Sequence, residues 1–290
     1  ADCHNARKDS SMITHVKLSK IAVILIAVIA VAVLFFVQHS ARYNIWYQYK
    51  ISSAELMQKA KAAITKEIKQ LGLSINVSDD PNETGLIGPK DTVVTTDIGI
   101  LDAKVMLTNP DFAAVIVDLF KKVGLREGDT IAVAYTGSMP GANIALLSAA
   151  QAMKLNPIII SSLGSSQWGA TYPEFTWLDM ERYLAEKKIF NFRSVAASYG
   201  GQNDLISDKN ESSKELFRKI IVERNRLPLI HEEDMAKNTA MRMSIYEKYA
   251  AGNPIKAFIN IGGGVGSLGE HAHGQLIPTG ISRELPLDKF

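Results

Sequence analysis

Four short stretches of glycine and hydroxyl residues are the segments of this chain best suited to chemistry. They are Thr136-Gly137-Ser138, Ser161-Ser162-Leu163-Gly164-Ser165-Ser166-Gln167-Trp168-Gly169, Ser198-Tyr199-Gly200-Gly201 and Gly262-Gly263-Gly264-Val265-Gly266-Ser267. Glycine lets backbone N–H groups approach a ligand closely, and serine adds a hydroxyl donor. A following helix N-terminus favours negative charge. Together these loops describe a pocket for a carboxylate or phosphate, with Thr136, Gly137, Ser138, Ser162, Gly164, Ser165, Ser166, Gln167, Trp168, Ser198, Gly200, Gly201, Gly262, Gly263, Gly264 and Ser267 as its candidate ligand-binding residues. The plain alternative is that tight strand-to-helix turns need small residues.

A serine nucleophile requires a general base. Ser138 and Ser165 are the candidates, with His271 or His273 beside the last glycine loop as base and Asp179 as the orienting acid. Neither serine lies in a G-x-S-x-G elbow. A base within about 3 Å of a loop serine would mark catalysis, whereas N–H donors without a base would mark binding. Glu270, His271 and His273 also suit zinc by type. Two histidines and one neighbouring acid read more simply as a solvated loop, so no metal is expected. Gly264-Val265-Gly266-Ser267-Leu268-Gly269 matches G-x-G-x-x-G, and Glu284 lies twenty residues past Gly264. The match follows the last expected strand and leads into EHAHGQLIPTG rather than a long helix, so no nucleotide cofactor is expected. Trp168, Phe175 and Trp177 read as packing residues, although Trp168 at a glycine loop could stack on a ligand.

The elements that must position these loops follow from periodicity. Asn109-Pro110-Asp111 starts a helix that runs through Lys122 and stops at Gly124, and TIAVAY (130–135) is a continuous apolar strand. Helices over 142–154, 174–187, 212–226 and 233–250 then alternate with strands over 157–160, 194–197 and 257–261. Strands apolar on both faces, alternating with helices, imply a doubly wound, mostly parallel, Rossmann-like α/β sheet. Ahead of it, SSAELMQKAKAAITKEIKQLG reads as an amphipathic helix, with a capping box from Ser52 to Glu55, a stop at Gly72 and a stripe of Leu56, Ala60, Ile64, Ile68 and Leu71. The turn-rich stretch SDDPNETGLIGPKD (78–91) separates it from the body.

The run IAVILIAVIAVAVLFFV (21–37) contains no charge, proline or glycine. As a helix it is roughly 25 Å long, enough to cross a bilayer with slight thinning or snorkelling flanks. No small-x-small cleavage site follows it, so an uncleaved single-pass anchor is expected rather than a signal peptide. Arg7, Lys8, Lys17 and Lys20 precede the run, against Arg42 and Lys50 after it. That bias keeps residues 1–20 cytoplasmic and places the body outside. The first eleven residues look foreign to the chain. Counted from Met12 the charges balance, and the small leader favours the same topology. Tyr43, Trp46, Tyr47 and Tyr49 in the 38–77 segment suit an interfacial belt or packing on the body. The 32 basic and 30 acidic residues are dispersed, so nucleic acid is not an expected partner. The one cysteine, Cys3, lies in the leader, so the body can form no disulfide within itself and depends on its core.

The segments TNPDFAAVIVDL, TGSMPGANIALLSA, ISSLGSSQWGATYPEFTWLDMERYL, SVAASYGGQND and FINIGGG, within 85–269, resemble the bacterial family of poly-gamma-glutamate system proteins. The single N-terminal span adds to the likeness. The resemblance implies an accessory component of the membrane machinery that makes, exports or attaches the polymer. Membrane subunits of that system and an anionic, glutamate-like ligand would be its partners. It supplies no catalytic residues and no cofactor. Alternatives are a serine-dependent gamma-glutamyl amide hydrolase or transferase and a structural scaffold. The chain ends at PLDKF, where the resemblance implies further α/β structure, so the 78–290 domain is expected to lack strands.

Overall fold

The computed structural model describes residues 19–269 and 280–283. The leader up to residue 18, Glu270, His271, His273, Glu284 and the PLDKF end lie outside the described residues. The described residues up to Ile45 and those from Trp46 onward form two separate units. In the first, α1 (Lys20–Tyr43) contains a stretch, Lys20–Gln38, long and apolar enough to cross a membrane. Its apolar side chains are exposed, Phe35 at 73% and Phe36 at 72%. A buried core helix would hide such groups.

The second unit opens with α2 (Ile45–Gln70). This helix starts seven residues before the expected capping box, so Ser52 and Glu55 lie inside it and Ser53 Oγ donates to the Lys50 carbonyl at 2.8 Å. Its buried stripe is Ser53, Met57, Ala60, Ile64 and Ile68, with Leu56 half-buried and Leu71 exposed. Ala60, Ile64 and Ile68 are as expected, and the stripe differs only at its ends, where Met57 rather than Leu56 meets the core. Trp46 and Tyr49 pack edge-to-face and against that core, while Tyr47 is 46% exposed.

The body continues through β1 (Thr95–Asp97), α3 (Leu101–Met106), α4 (Asp111–Val123), β2 (Thr130–Thr136), α5 (Pro140–Ala152), β3 (Asn156–Ser162), β4 (Ser165–Ser166) and α6 (Trp177–Glu186). It then runs through β5 (Ala196–Ser198), α7 (Glu211–Arg218), β6 (Leu229–Ile230), α8 (Met235–Ala250), β7 (Ile255–Ile261) and α9 (Val265–Leu268). Asn109 Oδ1 accepts from Asp111 N at 3.0 Å at the start of α4, and Gly124 ends it in a left-handed conformation. α6 begins at Trp177 because Asp179 Oδ2 binds Thr176 N at 2.9 Å and Thr176 Oγ1 at 2.7 Å. The helix expected over 212–226 is α7 followed by a π-helical turn, Lys219–Arg224. That wider turn brings Arg224 and Asn225 to Asp179, at 2.8 and 3.0 Å.

The main sheet has the order β6-β5-β3-β2-β7, every pair parallel, and β1 pairs with β4 in a separate two-stranded sheet. Alternate residues of β2 and β3 serve opposite faces. Ile131, Val133, Tyr135 and Ile159 join the larger core with α2, α4, α5, α6 and α7. Ala132, Ile158 and Ile160 join the smaller core with Tyr246 and Ala250 of α8. The architecture is therefore doubly wound, as expected, with one face covered far more heavily. From β2 the chain winds outward through β3, β5 and β6, then returns to place β7 on the other side of β2. The winding reverses between β2 and β7.

Candidate functional site

Where an open parallel sheet reverses its winding, the loops after the two central strands diverge and leave a crevice beyond their carboxyl ends. A cleft of about 640 Å³ lies there. Thr136 and Ser138 come from the end of β2, and Gly164 and Ser166 follow β3. Gly201 follows β5, and Gly262, Gly263 and Gly264 follow β7. The opposite wall is Thr96, Asp97, Ile98, Gly99 and Ile100, between β1 and α3. A hollow of about 790 Å³ is lined by α2 and residues 82–84, away from any strand end.

Gly262 turns the chain out of β7 with φ +93°, and a Cβ there would lie 2.5 Å from Thr136 Oγ1. Only glycine fits this join. The helix that follows, α9, has four residues and no strand after it among the described residues, so the G-x-G-x-x-G match does not open a nucleotide-binding βαβ unit.

The other expected ligand residues are placed beneath or beside the cleft. Ser162 and Ser198 share a hydrogen bond at 2.9 Å, and Ser198 donates to Asp204 Oδ1 at 2.7 Å. Asp204 is fully buried and pairs with buried Arg242 at 2.5 Å; Asn238 donates to it at 3.1 Å. A Cβ on Gly266 would meet Arg242 Nη2 at 2.6 Å and Asp204 Oδ2 at 2.7 Å, so the last glycine loop rests directly on this pair. Ser267 Oγ donates to Asn260 Oδ1 at 2.7 Å, Gln167 donates to Asp91, and the Trp168 ring lies under Lys90. Gly200 holds a left-handed conformation against Ser162, and Gly137 packs against the 163–165 turn.

The two expected nucleophiles differ in setting. Ser165 is buried, and its Oγ contacts the Gly137 carbonyl at 3.1 Å and the Ser166 carbonyl at 2.8 Å. Ser138 faces the cleft, but its Oγ accepts from Ser166 N at 2.9 Å. Asp179 is not a cleft residue; Thr176, Arg224 and Asn225 occupy its carboxylate. His231 lies in another hollow, beside Tyr199. No group of three or more metal-ligating side chains occurs among the described residues.

Periodicity gave no indication of Lys104. It lies on α3, is 2% exposed, and extends its ammonium to the Ser138 carbonyl at 2.6 Å, the Ser166 carbonyl at 3.3 Å and Ser166 Oγ at 2.8 Å. Burial without a compensating carboxylate lowers its pKa to about 8. The one available signal was a lone lysine amid the apolar residues of a short helical stretch, LDAKVM. The Ser166 backbone is held by the β1–β4 pairing, in register with Asp97, and by Ser138 Oγ.

Models of known families, curated proteins and solved structures were compared with the chain. None of them matches. The walls offer hydroxyls and closely approached backbone, one carboxylate (Asp97), and a buried amine behind the serines. Such a site can bind a small polar group and exclude bulk from around it.

Proposed function

We propose that the chain is a membrane-anchored accessory protein of a poly-gamma-glutamate system, whose body binds a carboxylate-bearing, glutamate-like ligand in the cleft at the β2–β7 switch point. The observation that carries this reading is the convergence of the glycine and hydroxyl loops after β2, β3, β5 and β7 on one cleft. Small residues at one strand end could serve a tight turn alone. Walling a common crevice of about 640 Å³ suits a ligand of one or two glutamyl units. The Lys104 ammonium, protonated below about pH 8, adds positive charge behind that wall. The polymer, the membrane partners and the outward placement of the body rest on the sequence resemblance and the flanking charges.

Calorimetric titration of the full chain in detergent with gamma-linked oligoglutamate tests the ligand. Binding that weakens at least tenfold in Gly263→Asp, which puts a carboxylate into the wall, is the expected outcome. No heat of binding at millimolar oligoglutamate would reject the reading.

A further inference from the structure

Lys104 has three hydrogen-bond partners of two kinds. The carbonyls of Ser138 and Ser166 can only accept, whereas Ser166 Oγ can accept or donate. A neutral amine has two N–H groups and one lone pair. As an ammonium Lys104 donates to all three; once neutral, its two N–H groups can stay on the two carbonyls, which leaves the lone pair for the Ser166 hydroxyl 2.8 Å away, inside general-base distance. Ser166 lines the cleft and is half-buried, so the residue in contact with the amine is also open to the cleft. Its main chain is fixed by Ser165 N on the Val94 carbonyl at 3.2 Å and Gln167 N on the Asp97 carbonyl at 3.0 Å.

We infer that Ser166 and Lys104 form a nucleophile–base pair for acyl transfer, acting on an amide or ester whose carbonyl enters the cleft. On the function proposed above, that substrate is a gamma-glutamyl amide. The pair itself stands on the geometry of α3, β4 and the loop after β2. Ser166 Oγ attacks the carbonyl carbon as Lys104 Nζ takes the hydroxyl proton. The tetrahedral adduct then collapses, the C–N bond breaks, and the Lys104 ammonium returns that proton to the leaving amine. Water attacks the acyl-serine, loses a proton to Lys104 and releases the carboxylic acid, and Lys104 reprotonates Ser166 Oγ. An amine in place of water gives transfer instead of hydrolysis. Serine–lysine pairs of this kind need a lysine that is neutral near working pH, which burial provides. The acids on neighbouring elements are Asp97 at the end of β1 and Asp102 on α3 itself, and the segments after β2 and β3 bring no titratable group to the amine.

The test uses the full chain in detergent micelles and an alkyl fluorophosphonate, which phosphonylates activated serines, read by intact mass and peptide mapping. One adduct is expected, on Ser166. Its rate should rise about tenfold per pH unit below pH 8 and level off above it, as the neutral fraction of Lys104 does. Ser166→Ala should abolish the adduct, and Lys104→Met should slow it by about 10²-fold or more. The wild-type pH profile needs no substitution, so it decides the matter even where Lys104→Met does not fold. No adduct on folded wild type, an adduct on Ser138 instead, or a rate flat from pH 6 to 9 would overturn the pair. Oligoglutamate titration of the same samples separates the two claims: labelling without binding removes the glutamate reading alone, and binding without labelling removes the pair alone.

Discussion

A buried lysine and a buried ion pair lie behind the walls of the cleft, and each has a measurable signature. Lys104 has a folded-state pKa of about 8 against 10.5 for the free side chain. Between those values the unfolded chain binds more protons at this position, so stability rises with pH there. Below pH 8 the buried ammonium is a constant burden. Urea unfolding from pH 7 to 10.5 should therefore show wild type gaining on Lys104→Met as pH rises, with most of the change between about pH 8 and 10.5. A constant difference would mean that Lys104 titrates normally. Arg242 and Asp204 behave differently, because each neutralises the other. Replacing Arg242 by Met strands a fully buried carboxylate and should cost about 3–5 kcal/mol. Adding Asp204→Asn to that variant should recover a substantial part, since a buried amide is far easier to satisfy than an unpaired charge.

The elements divide into those built by local pattern and those built by contact. α2 is held to the body by one stripe, and the displacement of Leu56 from it can be measured. Ile64→Ala, at a fully buried site, should lose about 2–5 kcal/mol in urea unfolding. Leu56→Ala, at a half-buried site, should lose clearly less. The opposite ranking would restore the stripe through Leu56. The join after β7 is equally specific. Gly262→Ala adds a Cβ against Thr136 Oγ1 in a left-handed backbone conformation, and should lose at least about 1–2 kcal/mol. The same change moves the glycine loop that walls the cleft, so oligoglutamate binding should weaken with it.

For the whole molecule, the apolar stretch of α1 and the α/β body belong to separate units. The proposed anchor predicts that the full chain stays in the pellet after alkaline carbonate extraction of membranes, whereas deletion of residues 20–38 leaves it in the supernatant. Recovery of both forms in the supernatant would refute a spanning helix. The winding of the sheet decides where the body has a crevice: β7 joins beside β2, and the cleft opens between their ends. A ligand site elsewhere, such as the hollow along α2, would have no strand ends to position it.

Much of this was legible in the chain itself. Seventeen apolar residues without a charge specify a helix that can span a bilayer, because few other structures satisfy their backbone without water. Alternation of apolar strands and capped helices specifies a parallel doubly wound sheet, and several of the glycine and serine loops line the cleft at its carboxyl edge. Three- and two-residue strands, β1 and β4, gave no periodic signal because so short a segment has no period. The choice of Ser166 over Ser165 belongs to the tertiary structure alone. Adjacent residues on a strand point to opposite sides, and pairing with β1 turns Ser165 inward and Ser166 toward the cleft. The same holds for Lys104, whose lowered pKa comes from burial among groups 34 and 62 residues away. Desolvation is a property of what surrounds a side chain, and only the folded chain supplies those surroundings.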